Sequence, residues 1–298
     1  MTADGGALRA RALGRMLPLL APVHVLVLSV IVVPSCYVVW LSLSQSTFGQ
    51  APTFVGLRNY AAILSDPAFR SALWNTVVLV VVAVHLELAL GLGMALLFAS
   101  GLPCRRALLV AVLAPYAVSE VTAVVMWRFL FDPDAGPVTQ ALAALHLPAL
   151  DWSFEPSHAT VVVGLLTIWL HLPFTFVILY AARLAIPGDV YEAARIDGAT
   201  PWQAMCRVTL PLLGPAMAVA LLFRYIFAFR MFSEVWLLTG GGPARSTEVL
   251  AVYLYEEAFS FSSFGKAAAT SWIMVVAALL LAAGYLVLLR RQVVPSAH

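Results

Sequence analysis

Six stretches of this chain are long and apolar enough to cross a lipid bilayer as helix, at about 17–43, 74–99, 107–130, 159–182, 212–237 and 266–290. A helix rises about 1.5 Å per residue, so roughly 20 apolar residues span the hydrocarbon core. No water is present there to satisfy backbone N–H and C=O groups, which confines each stretch to a hydrogen-bonded helix. The chain is 62% hydrophobic and only 11% charged, whereas soluble domains carry about 25% charged residues. The reading is a single all-α integral membrane domain over 1–298, without a separate soluble domain, internal repeat or low-complexity tract. The first apolar run follows Arg9, Arg11 and Arg15. It extends past the about 7–15 residues of a signal-peptide core and lacks a small-residue cleavage site, so it is expected to be a retained span.

Six spans put both termini on one side of the membrane. With the N-terminus inside, ten basic residues fall on the cytoplasmic side: Arg9, Arg11, Arg15, Arg105, Arg106, Arg183, Arg195, Arg207, Arg290 and Arg291. Five fall outside, namely Arg58, Arg70, Arg128, Arg245 and Lys266, while Arg224 and Arg230 lie within the fifth span. Inner loops of multi-span proteins are enriched in Lys and Arg, so both termini are expected in the cytoplasm. Asp132, Asp134, Asp151 and Glu155 give the outer connection between the third and fourth spans the opposite sign. Pro34, Pro115 and Pro173 fall inside spans, where neighbouring groups must satisfy the freed backbone. Gly91 and Gly93 suit close helix packing.

One long polar interruption, within about 183–211, divides the second half of the chain. Asp189 with Glu192 three residues later forms a capping-box pattern, and Gly198 suits the left-handed position just after a helix. Thr200, Pro201 and Gln203 then repeat the start signal. Leu210-Pro211 is expected to close a second short helix. The pattern predicts two short helices joined at a glycine and displayed at the membrane surface as a docking element.

The spacing Glu192-Ala193-Ala194, Gly198 and Val208-Thr-Leu-Pro211 resembles the EAA loop of membrane subunits of ABC importers, with Val where that pattern usually has Ile. Phe54-Val-Gly-Leu-Arg-Asn-Tyr60 with Asn75-Thr76, Phe229-Arg-Met-Phe-Ser-Glu234 and Leu238-Thr-Gly-Gly-Gly-Pro243 are similar to the maltose-type, carbohydrate-uptake branch. Gly136 departs from that branch, being followed by Pro-Val-Thr-Gln where Asn often stands soon after. The resemblance implies a six-span type I importer permease fold in a bacterial or archaeal cytoplasmic membrane. It implies a heterodimer with a second homologous permease subunit and two cytoplasmic ABC ATPase subunits, which bind the ATP and Mg. An extracytoplasmic solute-binding protein would deliver a carbohydrate. By the same resemblance, Glu192, Ala193, Ala194, Asp197, Gly198, Leu210 and Pro211 are the residues expected to couple to the ATPase.

The chain has no G-x-x-x-x-G-K-[ST] phosphate loop, so it is read as a transport subunit without its own ATP site, and no cofactor or metal is expected on it. Its net charge of +2 does not point to nucleic acid. Ionisable groups inside spans face protein or water because lipid disfavours them. That places Arg224, Tyr225, Phe229, Arg230, Glu234 and Glu120 on a candidate substrate path, where aromatic faces and guanidinium donors suit sugars. The alternative for Arg230 and Glu234 is an ion pair at (i, i+4). Glu87 is expected either on the path or in a helix-to-helix hydrogen bond, and His85 and His171 are read as packing or hydrogen-bonding residues. Asn75 is read as a helix cap, and Trp127, Trp152 and Trp236 as interfacial belt residues. An ion-coupled secondary transporter is the competing class; it would call for an inverted repeat and would leave the docking loop without a purpose.

Overall fold

Helix occupies most of each membrane-length stretch, with the residue types at each start explaining where it begins. The computed structural model describes the backbone of residues 4–148 and 150–293, and the side chains of residues 21–148 and 150–284. Arg9, Arg11, Arg15, Arg290 and Arg291 lie outside the residues whose side chains are described. In chain order the elements are α1 (Asp4–Ser42), β1 (Ser44–Gln45), β2 (Thr53–Phe54), α2 (Arg58–Ser65), α3 (Pro67–Ala99), α4 (Arg105–Leu113) and α5 (Glu120–Leu130). They continue with α6 (Pro137–Ala144), α7 (Pro156–Leu184), α8 (Gly188–Ile196), α9 (Pro201–Ala204), α10 (Leu210–Ala228), α11 (Ser233–Leu238), α12 (Leu250–Tyr255) and α13 (Phe264–Val293).

The chain divides into two compact units. The first joins the segment up to Ile63 with Glu257–Trp272; the second joins Leu64–Glu256 with the segment from Ile273 onward. In the first unit, β1 and β2 pair antiparallel with Ser44 opposite Phe54. Asn59 clamps the end of α1, its Nδ2 donating to the carbonyls of Ser42 and Ser44 at 2.9 Å each. Burial of this amide is tolerated because both donors are used.

The second unit is built on α3 and α7. Gly91 lets them approach, since a Cβ there would stand 3.1 Å from Thr175 Cγ2 and 3.3 Å from the Phe176 backbone nitrogen. Gly93, by contrast, faces open space. Phe98, Phe176, Leu179 and Tyr180 pack one end of this pair. Val80, Val84, Leu221, Tyr225, Phe229 and Ala278 form a second apolar cluster joining α3, α10 and α13. A third gathers Trp127, Phe131, Trp152, Leu166 and Val235 around α5, α7 and α11. Trp127 and Trp152 are therefore core residues, not an interfacial belt, and Trp152 Nε1 donates to the Phe131 carbonyl at 2.6 Å.

Two of the expected spans are broken. The third, read as 107–130, is two helical segments meeting at 104°. Pro115 interrupts the first, Val118 is extended, and Ser119 caps a new helix by accepting from Thr122 N. The fifth, read as 212–237, ends at Ala228; Phe229–Phe232 form a non-helical break before α11. At its other end it starts early, because α9, a π-helical turn at Met205–Thr209 and α10 run on as one helix from Pro201 to Ala228. Leu210-Pro211 closes nothing: Pro needs no N–H partner at the first positions after the π turn.

The segment between α11 and α12 is held onto α3. Asn75 Nδ2 donates to the carbonyls of Arg245 and Glu248 at 3.1 Å each, and the Thr76 hydroxyl accepts from Leu250 N at 2.8 Å. Asn75 is thus a clasp; the cap of α3 is Asp66, whose carboxylate accepts from Ala68 N. Arg245 forms a two-point pair with Glu248, with Nη2 2.6 Å from Oε1. The carboxylate raises the Arg245 pKa. Burial outweighs that attraction for Glu248 and raises its pKa above the usual 4.5, with Glu256 and Asp66 adding repulsion. A carboxyl with a raised folded-state pKa binds more protons folded than unfolded, so its contribution is full at low pH and is lost as pH rises through the raised value. Glu248→Gln, which does not titrate, is expected to flatten this part of the stability profile. Melting temperatures of both proteins from about pH 4 to about pH 7 check it; parallel profiles would contradict it.

Candidate functional site

The two helix breaks face a cavity of about 480 Å³ in the second unit, walled by α5, α7, α10 and α11. Along α7, Thr167, Leu170, His171 and Phe174 reach it, a spacing that places them on one helical face. Pro115, Tyr116, Val118 and Glu120 enter from the broken third span. Arg224, Phe227, Ala228, Arg230, Met231 and Glu234 come from the end of α10, the break after it and α11.

Four of the six path residues expected from sequence are brought together here: Arg224, Arg230, Glu234 and Glu120. The other two are not. Tyr225 is 4% exposed and turns toward α3, its hydroxyl 3.3 Å from His85 Nδ1. Phe229 is 2% exposed and belongs to the apolar cluster with Val80 and Val84. The lining aromatics are Tyr116, Phe174 and Phe227 instead.

The charges have partners that the sequence order hides. Arg224 and Glu87, on α10 and α3, form a two-point pair with Nε–Oε2 at 2.5 Å and Nη2–Oε1 at 2.8 Å. Their side chains are 3% and 0% exposed, so Glu87 makes the helix-to-helix contact and does not line the path. Glu234 does not pair with Arg230, because the break after α10 removes the (i, i+4) geometry. Its Oε1 lies 3.2 Å from His171 Nε2 on α7. His171 is therefore a member of a polar set: ligand-type atoms of Glu120, His171 and Glu234 lie within 4.8 Å of one another. Such a trio can accept hydrogen bonds from hydroxyl groups or ligate a divalent ion. Arg230 in the same lining adds a donor suited to hydroxyls, while Arg224 is already paired with Glu87. The Thr167, His171, Phe174 spacing on one span was the available signal for this face.

The polar loop between α7 and α10 is the second candidate site. Here Pro187, not Asp189, precedes the first turn of α8, and no side chain caps it. Asp189 and Glu192 thus make no capping box, and Glu192 is exposed without a hydrogen bond or ion pair among the described residues. Beside it Ala193 is exposed and Ala194 half-buried. Asp197 ends the helix and Gly198 follows with φ +77°. Gly198 N–H reaches the Arg195 carbonyl and Ala199 N–H the Ala194 carbonyl, the paired bonds of a Schellman motif. Thr200 and Gln203 complete a reciprocal capping box at α9. Pro211 is exposed and Leu210 half-buried, both inside the continuous helix. Ile196 and Trp202, which motif reasoning passed over, expose 86% and 68% of their surface. Exposed apolar side chains on the same loop as an uncommitted carboxylate are the chemistry of a partner-binding surface.

The family model described as "Binding-protein-dependent transport system inner membrane component" matches residues 87–294. The sulfoquinovosyl glycerol transport system permease protein SmoG of Agrobacterium fabrum is 34% identical over 92% of this chain and 90% of its own. The trehalose/maltose transport system permease protein MalF of Thermococcus litoralis is 34% identical over 87% of this chain and 88% of its own. Among solved structures, a bacterial alginate ABC transporter in complex with alginate pentasaccharide-bound periplasmic protein contains a chain of the same fold. Its TM-score is 0.81 at 22% identity, over 96% of this chain and 97% of that one.

The buried pair behind the cavity yields a stability test. Arg224→Met leaves Glu87 buried without a counter-charge, which costs about 3–5 kcal/mol, while replacing both partners by apolar residues is often near neutral. Thermal unfolding of the detergent-solubilised protein is expected to show a large loss for Arg224→Met and recovery of most of it in Arg224→Met/Glu87→Met. Equal losses in the single and double variants would contradict the pairing.

Proposed function

The chain belongs to the family of binding-protein-dependent transport system inner membrane components, and we propose that it forms half of the translocation path of an ATP-driven carbohydrate importer. The observation that carries this reading is that α7 and α10 line the polar cavity and are also the two helices joined by the exposed loop. From Phe174 to Leu184 and from Pro211 to Arg224 the separation is roughly 15–20 Å at the helical rise. A displacement of the loop is therefore delivered to the cavity walls by two rods.

In this reading the substrate is a sugar or polyol. Tyr116, Phe174 and Phe227 offer apolar ring faces; Glu120, Glu234 and His171 accept from hydroxyls, and Arg230 donates. The relatives, a sulfoquinovosyl glycerol and a trehalose/maltose transport system permease, support a carbohydrate class. A second, homologous permease subunit supplies the facing wall. A solute-binding protein outside the cytoplasmic membrane delivers the substrate. Both termini and the loop lie in the cytoplasm, where two ABC ATPase subunits bind ATP and Mg and dock on the loop. Glu192 pairs with a basic group of the ATPase, and Ala193 and Ala194 keep the approach low. Asp197 and Gly198 shape the turn, and Leu210 and Pro211 begin the rod that carries the motion.

ATP-driven closure of the ATPase pair then biases a two-state permease between outward and inward access. Glu192→Lys and Gly198→Pro are expected to abolish most uptake and the ATP hydrolysis that the loaded binding protein stimulates, in proteoliposomes holding the assembled importer. Gly198→Pro acts because Pro cannot adopt φ +77°. Wild-type uptake and stimulated hydrolysis in both variants would overturn the coupling role of the loop.

A further inference from the structure

We infer that Tyr191 is a positioning residue that braces α8 against both spans it connects, an inference that rests on the loop being the coupling element. Residues 185–187 join α8 to α7, and residues 197–200 join it to α9. Two short non-helical joints would let a nine-residue helix rock when pushed, and a helix that rocks passes no displacement to the cavity walls. Something must fix α8 to both rods.

Tyr191 makes both attachments. Its ring lies under the Arg183 guanidinium, with Cζ 4.4 Å from the ring centroid, and Arg183 stands in the last turn of α7. That is a cation–π contact at the base of one rod. Its hydroxyl lies 3.0 Å from Thr209 Oγ1 at the base of the other. Thr209 is 4% exposed and closes the π turn, in which Leu210 N–H reaches back five residues to the Met205 carbonyl. The Thr209 hydroxyl donates in turn to the Ala204 carbonyl at 3.4 Å. Each hydroxyl proton is then used once: Tyr191 donates to Thr209, and Thr209 to Ala204. The geometry links the end of α7, the middle of α8 and the π turn below α10 through one side chain.

Position along α8 explains why this brace sets the docking face. Consecutive helical residues point about 100° apart and do not face each other. Tyr191 is directed into the joint and is half-buried, which turns its neighbour Glu192 outward, exposed and uncommitted. Holding Tyr191 holds the carboxylate that a partner meets.

The test uses the complete importer, with its partner permease, ATPases and binding protein, reconstituted in liposomes. The readout is substrate taken up per ATP hydrolysed, a ratio that fewer assembled complexes would leave unchanged. Tyr191→Leu loses both attachments and is expected to lower the ratio about tenfold. Tyr191→Phe loses only the Tyr191–Thr209 hydroxyl contact, whereas Thr209→Val loses it together with the bond to the Ala204 carbonyl; each is expected to lower the ratio at least about threefold. Because both variants break the Tyr191–Thr209 bond, the double variant is expected to be no worse than Thr209→Val alone. An unchanged ratio in Tyr191→Leu, or uptake and hydrolysis falling in proportion, would overturn the brace. So would full additivity of Tyr191→Phe and Thr209→Val, and that pair decides the matter if Tyr191→Leu does not assemble. Glu192→Lys serves as the reference: if it too leaves the ratio and the stimulated hydrolysis intact, the coupling reading fails first and the brace fails with it.

Discussion

The pair between Arg224 and Glu87 is the constraint on which the second unit depends. A guanidinium or carboxylate alone in a low-dielectric interior is strongly disfavoured, and each becomes tolerable through the two-point contact with the other. That contact sets the rotation of α10 about its axis relative to α3. With Arg224 committed to α3, the neighbouring face of α10 presents Phe227 and Ala228 to the cavity, while Tyr225 and Phe229 are turned into apolar packing. The ion pair therefore decides which aromatics of a mixed Arg–aromatic run face the cavity and which build the core.

The cavity exists because two spans are not continuous helices. A straight helix at either place would fill the space with its own side chains and leave no backbone turned aside. At Pro115–Ser119 the chain bends and restarts on a serine cap, which puts Glu120 in the first turn of α5. At Phe229–Phe232 it leaves the helix and restarts as α11, which sets Glu234 against His171 of α7. Irregular backbone at membrane depth is tolerated where it is buried in protein or lines a polar cavity, and both breaks meet that condition. The polar groups are thus delivered by interruptions in helical structure, and continuous α7 serves as the fixed wall against which they are arranged.

Much of this was legible in the sequence, for reasons that differ by residue. The helical class followed from apolar length, and the loop pattern from local chemistry: Gly198 at a left-handed position and Thr200 with Gln203 are short-range signals that three or four residues contain. Arg224, Arg230, Glu234 and Glu120 were legible as residues needing a non-lipid environment. What failed was pairing. The partners of Arg224 and Glu234 lie 137 and 63 residues away, and no spacing rule reaches that far. The (i, i+4) expectation for Arg230 and Glu234 presumed a continuous helix. The capping box at Asp189 failed because the helix begins at Gly188, two residues earlier than an Asp189 cap would place it. Tryptophans were assigned to the membrane interface by type, although Trp152 answers its indole N–H internally.

A chain that links a loop to a cavity needs rigidity in the right places and compliance in others. The long helices α7 and α10 keep all their backbone bonds internal except those lost at Pro173 and Pro215, so a push at the loop is transmitted along them. The π turn at Met205–Thr209 is the exception, a local widening of the helix at its base. Left alone it would absorb displacement where α10 should transmit it. Thr209, buried and bonded to the Ala204 carbonyl and to Tyr191, closes that weak point from inside. The same tyrosine lies under Arg183 at the end of α7. The two rods thus share one anchor, and a single movement of α8 reaches both walls of the cavity together.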